Sequence, residues 1–296
     1  MMSRRKSNAV GWLYVLPALL LFTFLVIVPI FWSLSFSVFK WNGIGTRVFI
    51  GIGNYLRMWN DGVFRQAFIN NLIFAGLGTI AQVFFGMLMA VLLISIKALR
   101  DSVKVIYFIP CVISSVAICQ IFAKLLAVNP EGVVNALFGA VGLAAWKGAP
   151  LSDPNLALVI VTLVDAYKFC AIYMVIYYSA FIGIDSEILE AAEIDGANWW
   201  QKYVYIRFPL IRTVILISLV VLISGTLRGF DVSYILTGGG PGAASELVST
   251  YMYKTIFNST NFGYGSAIAV FLVIECLLAV AIMRRAFGSD APGDAR

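Results

Sequence analysis

The chain has 296 residues, of which 61% are hydrophobic and 12% charged, and its net charge at pH 7 is +6. Soluble domains carry about 25% charged and about 45–50% apolar residues, so an ordinary soluble domain is excluded. In a chain this apolar, the basic excess records membrane topology rather than affinity for nucleic acid.

A helix needs roughly 20 apolar residues to cross a bilayer. Six segments qualify in chain order: 12–35, 69–96, 105–127, 156–182, 209–228 and 264–283. The first follows Arg4, Arg5 and Lys6. Its apolar run exceeds the usual h-region of a signal peptide and no clear small-residue cleavage site follows it, so it reads as a retained span. Pro17 and Pro29 mark kinks or ends within it. The loops 36–68, 128–155 and 229–263 contain turn signals such as Asn42-Gly43, Asn129-Pro130 and Gly238 to Gly242, and none is long enough for a separate domain.

Basic residues cluster near one set of span ends: Arg4 to Lys6, Lys97, Arg100 and Lys104, Lys202, Arg207 and Arg212, and Arg284 with Arg285. By the positive-inside rule both termini and the 183–208 loop are cytoplasmic. The expected organisation is an all-α, polytopic membrane protein: a cytoplasmic N-terminus over 1–11, a transmembrane domain over 12–288, and a disordered cytoplasmic tail over 289–296.

Chemistry-bearing residues are sparse. Histidine is absent, which removes the commonest general base and metal ligand. Cys111, Cys119, Cys170 and Cys276 lie in apolar runs without a CxxC pair, so they read as small buried hydrophobes. No GxxxxGKS or GxxxxGKT phosphate loop occurs, so any ATP is bound by another chain. Charges within spans line a cavity or form pairs. Asp165 and Lys168, three apart on one helix face, fit either reading, and so do Arg228 and Asp231 at the end of the fifth span. Glu275 in the sixth span and Gln120 in the third suit hydrogen bonds between helices.

The 183–208 loop is the most ordered part of the pattern. Ser186 can cap a helix starting at Glu187, and Gly196 can end it. Ile188, Ala191, Ala192 and Asp195 share a face, while Glu187, Glu190 and Glu193 form an acidic row. Trp199, Trp200, Tyr203 and Tyr205 suit the headgroup region, and Pro209 fits the first turn of the next span. Three residues separate Ala192 from Gly196 and nine separate Gly196 from Ile206, before Phe208 and Pro209. This resembles the cytoplasmic coupling loop of the permease subunits of ATP-binding-cassette importers. That family's pattern is Glu-Ala-Ala, three residues, Gly, nine residues, Ile, one residue, Leu, Pro, and Phe208 at the Leu position is the one departure. Phe230-Asp231-Val232 and Leu236 to Gly242 are similar to the fifth-span exit of carbohydrate importers in that family, as are Trp41-Asn42-Gly43 and Gly53-Asn54-Tyr55 in the first outer loop.

The resemblance implies a type I importer permease fold and a subunit that breaks no bonds and binds no cofactor itself. It implies a second homologous permease, two cytoplasmic ATPases holding ATP and Mg, an extracellular solute-binding protein, and a carbohydrate as substrate. The setting would be a bacterial plasma membrane, with membrane lipid around the chain and no nucleic acid. Glu190, Ala191, Ala192 and Gly196 would dock the ATPase. Asp165, Lys168, Phe169, Ile172, Thr226 and Gly229 would line the solute path, with Phe230 and Asp231 adjacent. Importers of other polar solutes share the coupling pattern. An ion-coupled secondary transporter would leave that pattern unexplained and would call for an inverted repeat, which is not visible here. An integral-membrane enzyme lacks a nucleophile or metal constellation in this sequence.

Overall fold

The computed structural model describes residues 14–96, 99–143 and 147–287. The expected N-terminal segment 1–11 and tail 289–296 lie outside the described residues. Apart from a pairing of Phe39–Lys40 with Val48–Phe49, regular structure among the described residues is helical. Four helices are long and apolar enough to span a membrane: α1 (Tyr14–Ser37), α3 (Gly62–Ser95), α7 (Ala157–Ile182) and α13 (Phe262–Phe287). Counting each of two bent pairs as one span brings the number among the described residues to six: α4 (Arg100–Val112) with α5 (Ser115–Leu125), and α9 (Trp199–Leu210) with α10 (Arg212–Thr226). Shorter helices are α2 (Gly53–Asn60), α6 (Val133–Ala140), α8 (Ser186–Ile194), α11 (Asp231–Leu236) and α12 (Val248–Tyr253).

Two spans depart from the straight helices expected. The third, expected over 105–127, is broken at Ile113 and Ser114, where α4 and α5 meet at 97°. Pro110 removes one backbone donor inside α4, and Ile113 and Ser114 take extended ψ angles of 143° and 138°. The fifth, expected from Pro209, starts only at Arg212 after a 64° bend. Residues Lys202–Arg207 wind as a π-helix, and Pro209 falls in the short Phe208–Leu210 turn before the bend. In α1, Pro29 follows a π-helical turn over Thr23–Ile27.

The residues divide into two compact units: 1–62 with 252–274, and 63–251 with 275–296. In the first, Asn54 donates to the carbonyls of Ser37 and Phe39 at 2.7 and 2.9 Å, and Tyr264 donates to Asp61 at 2.8 Å. Arg47 lies over the rings of Phe36 and Trp41 at 4.6 and 4.4 Å. The Trp41-Asn42-Gly43 and Gly53-Asn54-Tyr55 segments thus tie the end of α1 to the hairpin and α2. Gly43 has a φ of +90° and packs so closely on Phe262 that a Cβ would meet the ring at 2.6 Å.

In the second unit, α7 is the central pillar. Met174, Tyr177 and Phe181 pack with Ala90 and Leu93 of α3, and with Tyr203, Ile211 and Leu222. A second cluster joins Phe74, Ile118, Val161, Val164, Val232 and Leu247. The two long helices touch closely at Gly86, where a Cβ would lie 2.9 Å from the Tyr173 Cβ and 3.1 Å from the Met174 nitrogen. A small residue at such a crossing maximises packing, which drives helix association where no hydrophobic effect operates. Two asparagines of α3 tie the unit together by inward hydrogen bonds. Asn70 Nδ2 lies 3.0 Å from the carbonyls of Ala243, Ala244 and Glu246, and Asn71 donates to Leu227 and Glu275 at 3.1 Å. Glu275 is therefore tied to α3, and Gln120 is exposed.

Candidate functional site

Where α10 ends, the chain turns at Gly229 and re-enters a helix at Asp231, leaving a cavity of about 310 Å3 against α7. Asp165, Phe169 and Ile172 face it, at the i, i+4, i+7 spacing of one helix stripe. Thr226, Gly229, Phe230 and Asp231 line it from the other side. Seven of the eight expected path residues therefore meet in one place, and Lys168 stands just behind. Gln82, Tyr173, Leu222, Gly225 and Arg228 complete the lining.

Of the two readings open for these charges, the pairing one is not seen: neither Asp165 with Lys168 nor Arg228 with Asp231 forms an ion pair among the described residues. Asp165 is buried and accepts from Gln82 Nε2 at 3.3 Å. Lys168, also buried, lies 5.0 Å over the Phe169 ring and donates to Ser115 Oγ. Ser115 in turn donates to Asp231 at 3.1 Å, and Arg228 donates to the Ser224 carbonyl at 2.8 Å. The break in the third span makes this relay possible, because it presents Ser115 at the first position of α5. Ser115 and Gln82 went unnoticed in the sequence because both are neutral. Pro110 followed by Ser114-Ser115 within an apolar run was the available signal for the first, and an isolated glutamine in a long apolar stretch was the signal for the second.

The cavity offers a particular chemistry. Phe169 and Phe230 contribute aromatic rings to the lining, and Phe230 is itself stacked on Tyr234 at 5.1 Å. Asp165 and Asp231 are acceptors, while Gln82 and Arg228 carry donors. Such a mixture suits a polyhydroxylated molecule with one apolar face.

On the loop between α7 and α9, Asp185 rather than Ser186 caps α8, accepting from the Glu187 nitrogen at 3.1 Å. An aspartate there also favours the helix dipole. The end of α8 is a Schellman turn: Gly196 has a φ of +78°, its nitrogen donates to the Glu193 carbonyl at 3.0 Å, and Ala197 donates to Ala192 at 2.9 Å. Asn198 and Gln201 then exchange hydrogen bonds of 2.8 and 2.9 Å in a capping box that starts α9. Lys202 returns to Glu193 at 2.6 Å, and this partner holds the exposed Glu193 carboxyl below its usual range. Glu190, Ala191 and Gly196 are exposed, whereas Ala192 is turned inward. Trp199, Trp200 and Tyr205 are also exposed, but Tyr203 is buried beside the rings of Phe181, Trp199 and Phe208.

Residues 82–289 match the family described as the binding-protein-dependent transport system inner membrane component. The chain belongs to this family. The permease is 34% identical to a probable ABC transporter permease, YurN, of Bacillus subtilis (strain 168), covering 95% of this chain and 97% of the relative. It is 31% identical to the lactose transport system permease LacF of Rhizobium radiobacter, over 92% and 91% of the two chains. A chain from a bacterial ABC transporter involved in the import of the polysaccharide alginate superimposes with a TM-score of 0.85 at 22% identity, covering 98% and 99% of the two chains. The permease therefore has the all-α fold of type I importer permeases, sits in the membrane as a multi-pass protein, and is a transport subunit rather than an enzyme.

Proposed function

We propose that the permease forms half of the path of an ATP-driven, binding-protein-dependent importer of a sugar or oligosaccharide. The carrying observation is the 310 Å3 cavity, where two phenylalanines and both acceptor and donor groups converge at the fifth-span exit. The names of relatives support the cargo: lactose for LacF, and starch degradation products for AmyD of Thermoanaerobacterium thermosulfurigenes. Solute passes between this chain and a second, homologous permease. A periplasmic or extracellular binding protein delivers it, in keeping with the alginate transporter solved together with its substrate-bound periplasmic protein. Asp165, Ile172, Thr226, Gly229 and Asp231 contact the solute with Phe169 and Phe230, and Lys168 keeps Asp231 in place through Ser115.

The 183–208 loop faces the cytoplasm in this reading, as do both termini. The exposed acidic edge of α8, with Glu190, Ala191 and Gly196, docks one of two separate ATPases that bind ATP and Mg, and Ala192 anchors that helix to the permease. ATP-dependent sugar uptake in proteoliposomes holding the whole complex is the test, with the wild type set against Glu190→Ala combined with Gly196→Pro. Uptake is expected to collapse while the membrane subunits still assemble. Uptake that continues unchanged after loss of the ATPase contact would overturn the proposal in favour of ion coupling.

A further inference from the structure

A second recess, of about 580 Å3, opens along α3 beside α9. Val83, Phe84 and Leu88 line it from α3, and Trp199, Trp200 and Phe208 from α9. Its wall on α3 runs from Thr79 to Val91, roughly 18 Å at 1.5 Å per residue. That is little more than half of the ~30 Å hydrocarbon core, so the recess is about one leaflet deep. Ile80 and Phe84 are 68% and 60% exposed, so no described side chain of the second unit fills the space over them.

The recess is apolar throughout, and the groups of α9 beside it decide the occupant. Trp199 and Trp200 are exposed there, as side chains at a headgroup boundary are. Tyr203, which also lines the recess, carries the Arg207 guanidinium 4.8 Å over its ring. That guanidinium is poorly satisfied. Its Nη1 reaches the Tyr203 hydroxyl only at 3.5 Å, and its buried Nε has no hydrogen-bond partner. Nearby Lys202 is already held by Glu193. A guanidinium with spare donors is a strong phosphate ligand, and basic groups at the end of a span recruit anionic lipid.

We propose that this recess binds one acyl chain of an anionic phospholipid, with the lipid phosphate on Arg207. A lipid seated there spans the joint between α3 and the π-helical stretch of α9, so it braces the segment that carries the coupling loop into α10. The ligand is a lipid of the leaflet on the loop side, independent of the solute carried.

The probe is phosphatidylglycerol brominated on its acyl chains, compared with brominated phosphatidylcholine, each diluted into unbrominated phosphatidylcholine in nanodiscs that hold the whole transporter. Bromine quenches tryptophan, and a Trp199→Phe, Trp200→Phe double variant subtracts the signal from other tryptophans. In the wild type, quenching by the phosphatidylglycerol should saturate at a mole fraction about fivefold lower than by the phosphatidylcholine. Arg207→Gln should abolish that difference while leaving quenching by phosphatidylcholine in place, and Val83→Phe, which narrows the recess, should weaken quenching by both. Equal quenching by the two lipids in the wild type, tracking bulk composition, would overturn the proposal without recourse to any variant. So would absence of quenching by either lipid together with cross-linking of a Leu88→Cys variant to the second permease, which would assign the recess to the subunit interface.

Discussion

Ser115 serves two charges with one hydroxyl, accepting from Lys168 and donating to Asp231. Its removal strands a buried ammonium. Hydrogen bonds to charged groups contribute about 1.5–3 kcal/mol, so Ser115→Ala should destabilise the protein by about that much in thermal melting, and Ser115→Thr should recover most of it. Glu193 gives a second expectation at this scale. Its carboxyl is lowered from 4.5 by the hydrogen bond and charge of Lys202. A depressed carboxylate contributes its stabilisation in full above the unfolded value, and loses it as the pH falls through the lowered one. Hydrogen exchange across 186–196 in the intact protein, corrected for intrinsic rates, should therefore quicken between pH 7 and strongly acidic pH, and Lys202→Gln should flatten that response. Residue identities at the cavity were partly legible in the sequence: the family resemblance pointed to Asp165, Phe169 and Ile172, which share one helix stripe. Their partners were not. An i, i+3 spacing suggested that Lys168 pairs with Asp165, but the long lysine stem reaches a different helix, brought near by a break that local propensity announces only weakly.

At the scale of elements, the six apolar stretches were legible because bilayer thickness fixes their length. What escaped was curvature. Pro110 and Pro209 each mark trouble in a helix, but where the bend falls depends on packing partners far away in sequence, and both bends came a few residues after the proline. The cap of α8 moved by one residue because Asp185 and Ser186 are both good caps by residue type, and the structure uses Asp185. The contact of α3 with α7 rests on Gly86. A valine there would push side-chain atoms into Tyr173 and the Met174 backbone, and overpacking of this kind costs about 1–3 kcal/mol. Gly86→Val should lower the melting temperature of the detergent-solubilised protein and reduce the fraction eluting as assembled complex, while Gly86→Ala should do so less.

For the whole molecule, orientation is the first expectation to check. A cysteine at Glu187 should react with a membrane-impermeant maleimide only from the cytoplasmic side, and one at Asp153 only from outside; the reverse pattern would turn the topology over. Family and fold were legible because the coupling pattern is a spacing rule, and a spacing rule survives substitutions such as Phe208. The cargo was less so, because the cavity is assembled from four helices whose faces no single stretch records. The loop itself carries one more consequence. Between α8 and α9, Asp195, Gly196, Ala197 and Asn198 are each committed to a helix cap, and the Lys202–Glu193 contact bolts the two arms together. In the proposed coupling role such a joint would act as a crank rather than a string, passing motion from one arm to the other as rotation. Two glycines inserted after Ala197 should turn the crank into a string: ATP would still be hydrolysed by the complex, and solute would stay where it was.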